Sequence, residues 1–189
     1  MTGAGSASAA GTEPAGGGEL TGAALTRDSG AAALTHVDAA GAARMVDVSA
    51  KETSARTAIA TGVVRTTSQV AGLLVGGGLP KGDALATARI AGIMAAKRTP
   101  DLVPLCHPIA ISAVTVDLEV GTAEVRIAAT VRTTDRTGVE MEALTAVAVA
   151  GLTLHDMIKA VDPAAVLDAV RVERKDGGKT GTWTRPADR

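Results

Sequence analysis

Apolar and polar residues alternate with a two-residue period along two neighbouring stretches of the chain. Val114, Val116, Leu118 and Val120 share one face of residues 112–120, and Val125, Ile127, Ala129 and Val131 share one face of residues 123–134. Alternation of this kind sends successive side chains to opposite sides of an extended backbone, so it predicts two half-buried strands, and Gly121 between them supplies a tight hairpin turn. A further strand is predicted from Arg56 to Arg65, where Thr57, Ile59, Thr61, Val63 and Val64 concentrate β-branched side chains. A last strand is predicted near Val170 to Glu173, leading into a loop over 175–181.

Between these stretches the period changes to that of a helix. Ser68 stands where an N-cap would open a short helix ending at Gly76 to Gly78. Asp83 can cap a helix running to Arg98, with Leu85, Ala88, Ala91 or Gly92, and Met94 or Ala95 on one face and a basic end at Lys97 and Arg98. Pro100 stops it. A second long helix is predicted over 139–161, and its stretch from Ala143 to Leu154 contains no charged residue. Such a helix must be covered on most sides, which in a chain of this size points to burial against another subunit. Gly41, between Val37 and Met45, makes residues 34–47 either a hairpin or an extended arm. From Arg56 onward, passing over the short helix, the order is β, α, β, β, α, β. That order predicts an α+β fold of the ferredoxin-like kind, an antiparallel sheet covered by two long helices, with the short helix and an N-terminal arm added.

Composition narrows this picture. With 189 residues, 46% hydrophobic and 21% charged, the chain suits one globular domain, read as residues 34–181. Residues 1–33 are mostly Gly, Ala, Ser and Thr, which predicts a disordered tail rather than a signal or transit peptide, and residues 182–189 are read as a flexible C-terminus. There is no Phe or Tyr and one Trp, Trp183, so the core must be built from Ala, Val, Leu, Ile and Met, and stacking of a base on an aromatic ring is nearly excluded. The net charge of −1 provides no global field for nucleic acid, so any phosphate must be held by local Lys and Arg. The single cysteine, Cys106, excludes an internal disulfide, and no Cys/His spacing resembles a zinc site, which suits a reducing, cytoplasmic compartment. The apolar run 143–154 is followed directly by His155, Asp156 and Lys159, so no membrane span is expected.

Several places have candidate chemistry. Leu105, Cys106 and His107 lie in a loop over 100–108 with three prolines, stiff enough to hold a His as acid or base near neutral pH, although a lone His is more often structural. Lys81, Gly82 and Asp83 open a helix, where backbone N–H groups and an ammonium can cradle a phosphate or simply form an ordinary capped start. Asp156 and Lys159 share a helix face, either as a surface ion pair or as a proton-moving carboxylate beside a phosphate-binding ammonium, and the apolar approach to them predicts partial burial. Glu140 and Glu142 flank Met141 and should point about 200° apart on a helix, so only one is expected to face a given pocket. Glu142 lies about 21 Å along that helix from Asp156, so one small site using both would draw them from different subunits. Lys51, Arg56, Lys97, Arg98, Lys175 and Lys179 form no single run; Gly177, Gly178 and Gly181 around Lys179 could embrace a phosphate or form a mobile loop.

The ordered segments 45–51 (Met-Val-Asp-Val-Ser-Ala-Lys), 81–83 (Lys-Gly-Asp), 86–92, 95–99, 105–108 (Leu-Cys-His-Pro), 137–145 (Thr-Gly-Val-Glu-Met-Glu-Ala-Leu-Thr), and Asp156-Met157 with Lys159, closely resemble the molybdenum cofactor biosynthesis protein C family. The resemblance covers about 34–181. It implies a lyase that converts (8S)-3′,8-cyclo-7,8-dihydroguanosine 5′-triphosphate into cyclic pyranopterin monophosphate and pyrophosphate. It further implies Asp156 as an active-site residue, Leu105, Cys106, His107, Met141 and Glu142 as substrate-binding positions, and Lys81 and Lys159 as lysines needed for turnover. Arg56, Lys51 and Lys175 match other basic site positions, and Glu140 is grouped with the substrate-binding set. The implied assembly is a hexamer built from dimers with shared sites. On this resemblance Asp156, Lys159 and His107 would move protons while Lys81 and neighbouring cations stabilise phosphate charge. A Mg²⁺ ion on the substrate phosphates is compatible with this chemistry, but no carboxylate cluster in the sequence requires one. The chain departs from the family beside its motifs, with Leu79-Pro80 before Lys81 where relatives often carry histidines, and Asp135-Arg136 where they often carry Gly-Lys. Two rival readings are a nucleotide-binding module without chemistry and a purely structural oligomer.

Overall fold

The computed structural model describes residues 36–37, 40–77, 83–179 and 181–187. The expectations for residues 1–33, and those for Lys81 and Gly82, lie outside the described residues. In chain order the elements are β1 (Ser54–Arg65), α1 (Ser68–Gly76), α2 (Ala84–Ala96), α3 (Thr99–Leu102), β2 (Ile111–Val120), β3 (Glu124–Asp135), α4 (Glu140–Ile158), β4 (Val166–Asp176) and β5 (Trp183–Thr184). The strands form one sheet in the order β2-β3-β1-β4-β5, with every neighbouring pair antiparallel. The class is α+β, as the element order predicts. Two crossovers produce it: α2 carries the chain from β1 past β3 to β2, and α4 carries it from β3 past β1 to β4.

Period-two burial along the central strands forms the floor of the core. Ala58, Ala60 and Val64 of β1, and Val125, Ile127, Ala129 and Val131 of β3, are buried beneath the helices. α4 packs on β1, β3, β4 and α2, so its charge-free stretch is covered within the chain: Ala143, Ala146, Val147, Ala150 and Leu154 are fully buried and Leu152 remains exposed. Most of this stretch is thus covered within one chain, and a stripe through Leu144, Ala148 and Leu152 is left partly or fully exposed. By length and composition α4 would also suit a membrane span, yet more than half of it is buried inside the fold, as befits a core helix. Small residues let α2 and α4 approach closely. A Cβ on Gly92 would lie 2.8 Å from the Ala146 carbonyl oxygen, a separation that real side chains do not tolerate. Of the alternatives on α2, Gly92 and Ala95 face the core, while Met94 is exposed.

Local signals explain where elements begin and end. Asp83 caps α2 as predicted, accepting from the Ala86 N–H at 2.9 Å. The cap of α1 is Thr67 rather than Ser68, with Thr67 Oγ1 accepting from the Val70 N–H, and Gly77 in the left-handed region ends the helix. The loop expected from Pro100 begins as a helical turn, because proline at the start of α3 forfeits no helical hydrogen bond. Val37 pairs with Ala43 through an antiparallel bridge, and the Arg44 N–H donates to the His36 carbonyl at 3.0 Å. β4 extends well beyond the predicted Val170 to Glu173, since its pairing with β1 runs from Val166 to Asp176 around an irregularity beside Ala169 (φ +51°). Trp183 and Thr184, expected within a flexible C-terminus, instead pair with β4, and the Arg185 N–H donates to the Glu173 carbonyl at 2.8 Å.

Candidate active site

A cavity of about 470 Å³ opens at the N-terminal end of α4. Three short segments build its walls. The arm contributes His36, Val46, Val48 and Lys51; the loop after α3 contributes Leu105, Cys106 and His107; the β3–α4 connection and the first turn of α4 contribute Thr137, Gly138, Glu140, Met141 and Glu142. Lys175 reaches in from β4. The His107 loop is fixed at both ends. The Val103 N–H donates to the Thr99 carbonyl and the Cys106 N–H to the Val103 carbonyl, while Thr133 Oγ1 donates to the Ala110 carbonyl at 2.6 Å and ties the loop exit to β3.

The two carboxylates at the helix start have different surroundings. Glu140 Oε1 forms an ion pair with Lys175 Nζ at 3.0 Å. Glu142 is only 3% exposed, and burial pushes its carboxyl up to about 7, with the nearby negative charge of Glu140 adding to the effect. A carboxyl with that value can give or take a proton near neutral pH. Burial, with the charge of Glu142 adding to it, also pushes the Cys106 thiol up, which favours its neutral form. Glu140 and Glu142 line the same cavity, contrary to the expectation from their 200° separation. The cavity wraps the end of the helix, where side chains on different faces can reach one space. On the arm, Asp47 is held below the usual carboxylate range by the Ser49 backbone and side chain, with a smaller contribution from His107.

Arg56 stands beside this cavity. Its Nε donates to the Asp135 carbonyl at 2.9 Å and its Nη2 to the Arg136 carbonyl at 3.1 Å. It lines a smaller cavity of about 150 Å³ that shares Gly138, Glu140 and Lys175 with the larger one. Arg136 thus supports Arg56 through its carbonyl, and it is not among the residues lining either cavity.

Asp156 and Lys159 are elsewhere. They lie at the opposite end of α4, joined by a 2.7 Å ion pair, with side chains 54% and 55% exposed. The expected partial burial of this pair is not found within one chain. The fold therefore gathers Lys51, Leu105, Cys106, His107, Glu140, Met141, Glu142 and Lys175, sets Arg56 beside them, and leaves Asp156 about 21 Å from Glu142 along the helix, with Lys159 one turn further on. His36, Val46 and Val48 are cavity residues that the sequence reading did not single out. The alternation of Val46 and Val48 around Asp47 was the available signal for a wall-forming extended segment.

A model of the MoaC family matches residues 45–178. Cyclic pyranopterin monophosphate synthase 2 of Mycobacterium tuberculosis (strain ATCC 25618 / H37Rv) is 65% identical over 152 residues, covering 80% of this chain and 91% of the relative. The cyclic pyranopterin monophosphate synthase of Streptomyces coelicolor is 68% identical over 152 residues, covering 80% and 89%. That of a Nocardioides species is 66% identical over 156 residues, covering 81% and 96%.

Proposed function

The chain belongs to the MoaC family, and from that membership we propose that it is a lyase of molybdenum cofactor biosynthesis, converting (8S)-3′,8-cyclo-7,8-dihydroguanosine 5′-triphosphate into cyclic pyranopterin monophosphate and pyrophosphate. The observation that carries the reading is a buried carboxyl, Glu142, at about 7 in a cavity that also holds His107, Lys51 and Lys175. Rebuilding a guanine-derived ring into a pterin requires proton transfers, and Glu142 and His107 are placed to make them. Closing the cyclic phosphate requires an oxygen of the sugar-derived part to attack the α-phosphorus. One P–O bond forms as the attacking hydroxyl gives its proton to a base in the site, the α–β P–O bond breaks, and its electron pair leaves with pyrophosphate. Lys51, Lys175 and Arg56 suit the stabilisation of that charge as it develops.

In this reading Asp156 and Lys159 reach the cavity from a second chain, and Lys81 joins the phosphate-binding cations. The separation of the two ends of α4 and the exposure of the Asp156–Lys159 pair support a site shared between subunits, and the family resemblance implies that the assembly is a hexamer built from dimers. A Mg²⁺ ion on the substrate phosphates is compatible with this chemistry, and no step is assigned to it. The single Cys106, kept as a thiol, fits a cytoplasmic enzyme. The test is to incubate the purified oligomer with the cyclised GTP intermediate and measure pyrophosphate. Release that depends on Glu142 and Asp156 is expected. Binding without release would instead favour a nucleotide-binding module.

A further inference from the structure

We propose that Thr99 and Thr133 are positioning residues for His107: their two buried hydroxyls hold the ends of the loop over 103–110 and so fix where its imidazole meets the substrate. This rests on the function proposed above, in which His107 moves a proton, and deepens it.

Packing alone does not call for either hydroxyl. The inward face of β3 carries Val125, Ile127, Ala129 and Val131, all fully buried, and the next position in that alternation is Thr133, 3% exposed. Valine would have the same shape there and no polar atom to bury. The hydrogen bond of Thr133 explains the difference. β2 begins at Ile111, which pairs with Thr133, and the register shifts between Ile111 and Ala113. The Ala110 carbonyl lies just outside that ladder, and Thr133 Oγ1 donates to it at 2.6 Å. This bond ties the exit of the His107 loop to β3 at the point where Thr133 also pairs with Arg56 of β1.

Thr99 does the same at the entrance. It is completely buried, its Oγ1 donates to the Ala96 carbonyl at the end of α2 at 3.1 Å, and its own carbonyl accepts from the Val103 N–H at 2.9 Å. The Val103 carbonyl in turn accepts from the Cys106 N–H at 3.0 Å, so a relay of hydrogen bonds leads from α2 to the residue before His107. Pro104 and Pro108 restrict the backbone between the two ties. Among the described residues no side-chain hydrogen bond holds the His107 imidazole itself, so its place is set by the backbone that carries it. A reacting group displaced by about 1 Å can lose roughly 10²-fold in rate, which gives such ties a role that packing does not.

The experiment compares kcat, KM and the nuclear magnetic resonance signal of the His107 ring in the intact oligomer. Thr133→Val should lower kcat about tenfold, short of the loss from a full displacement, and change KM less. It should also move or broaden the His107 signal, and Thr133→Ser, which keeps the hydroxyl, should restore both the signal and kcat. Thr99→Val should act in the same direction. In a His107→Ala background Thr133→Val should lower the residual rate no further, because both changes act through one group. A kcat equal to that of the wild type in Thr133→Val overturns the proposal, whatever happens to its stability. A full tenfold loss in the His107→Ala background also overturns it, since the effect would then run through another group such as Arg56. If the wild type never turns over the triphosphate while the His107 signal depends on Thr133, the tie to His107 stands and the proposed activity falls.

Discussion

Glu142 and Asp156 are carboxylates on one helix in opposite circumstances. Glu142, in the first turn of α4, is buried against the His107 loop and the arm, and its carboxyl is pushed up to about 7. Asp156, near the last turn, is about half exposed and ion-paired with Lys159. Burial and electrostatics within one chain pick out the first end as a site and rank the second as ordinary surface, where an ion pair contributes little. The family resemblance nevertheless assigns chemistry to both. If the site is shared between subunits as proposed, the Asp156–Lys159 pair is half of it, and its environment must be judged in the assembly.

The largest effect should come from separating the two ends genetically. Asp156→Asn should keep the fold and lower kcat by about 10²–10⁴, the range for removing an acid/base group. Glu142→Ala should also be inactive. If each site takes one end of α4 from each of two chains, refolding the two variants together should regenerate intact sites, about a quarter of the total for random mixing. Pyrophosphate release is compared between the co-refolded sample and each variant refolded alone. Mixed oligomers as inactive as their parents would mean that each site is built within one chain, and near-normal release by Asp156→Asn would remove that end from the mechanism.

The same contrast shows what the sequence made legible. The hairpin of β2 and β3, α2 with its Asp83 cap, and the long α4 follow from periodicity and caps, because in each case one face is uniformly apolar. β4 was only partly visible because Asp168, Arg171, Glu173, Arg174 and Asp176 interrupt its apolar pattern. These charges instead meet partners such as Arg65 and Thr61 on β1, or one another along the strand. The Leu105–His107 loop was recognisable from its prolines, and Glu142 from the resemblance. That Glu140 and Glu142 would share a cavity was not recognisable, since helical angles describe the flank of a helix and not its end. Nor could His36 be placed, because a single bridge, Val37 to Ala43, organises that part of the arm.

A smaller effect sharpens the buried end. Glu142 has a folded-state value of about 7 against an ordinary 4.5, so between those values the folded chain keeps a proton that the unfolded chain has released. The associated stability is complete below about pH 4.5, declines as pH rises, and is lost above about pH 7; the shift corresponds to at most about 3 kcal/mol. Glu142→Gln removes this slope. Denaturant unfolding at fixed protomer concentration should show the wild type losing stability relative to Glu142→Gln between pH 5 and pH 8. Parallel behaviour of the two proteins would mean that Glu142 is ionised in the fold, with the cations around it, Lys51 and Lys175, offsetting burial and the charge of Glu140.

The smallest effect expected is none. Residues 1–33 are rich in Gly and Ala, with Met1, Leu20 and Leu25 as their only large apolar side chains, so their composition predicts that deleting them removes little packing. A chain beginning at residue 34 keeps His36, Val46, Val48 and Lys51, the arm residues that wall the cavity at the Glu142 end. Its kcat and KM should match the full chain within about twofold, and its unfolding midpoint should be unchanged, as for surface changes that remove no packing. The measurement bears on the contrast between the two ends because the tail leads directly into the arm. A large loss of turnover with the fold intact would place part of the tail over the cavity, and the Glu142 end would then also depend on a segment beyond its present walls. A loss of assembly would instead tie the tail to the contact between chains, moving its influence to the end that carries Asp156.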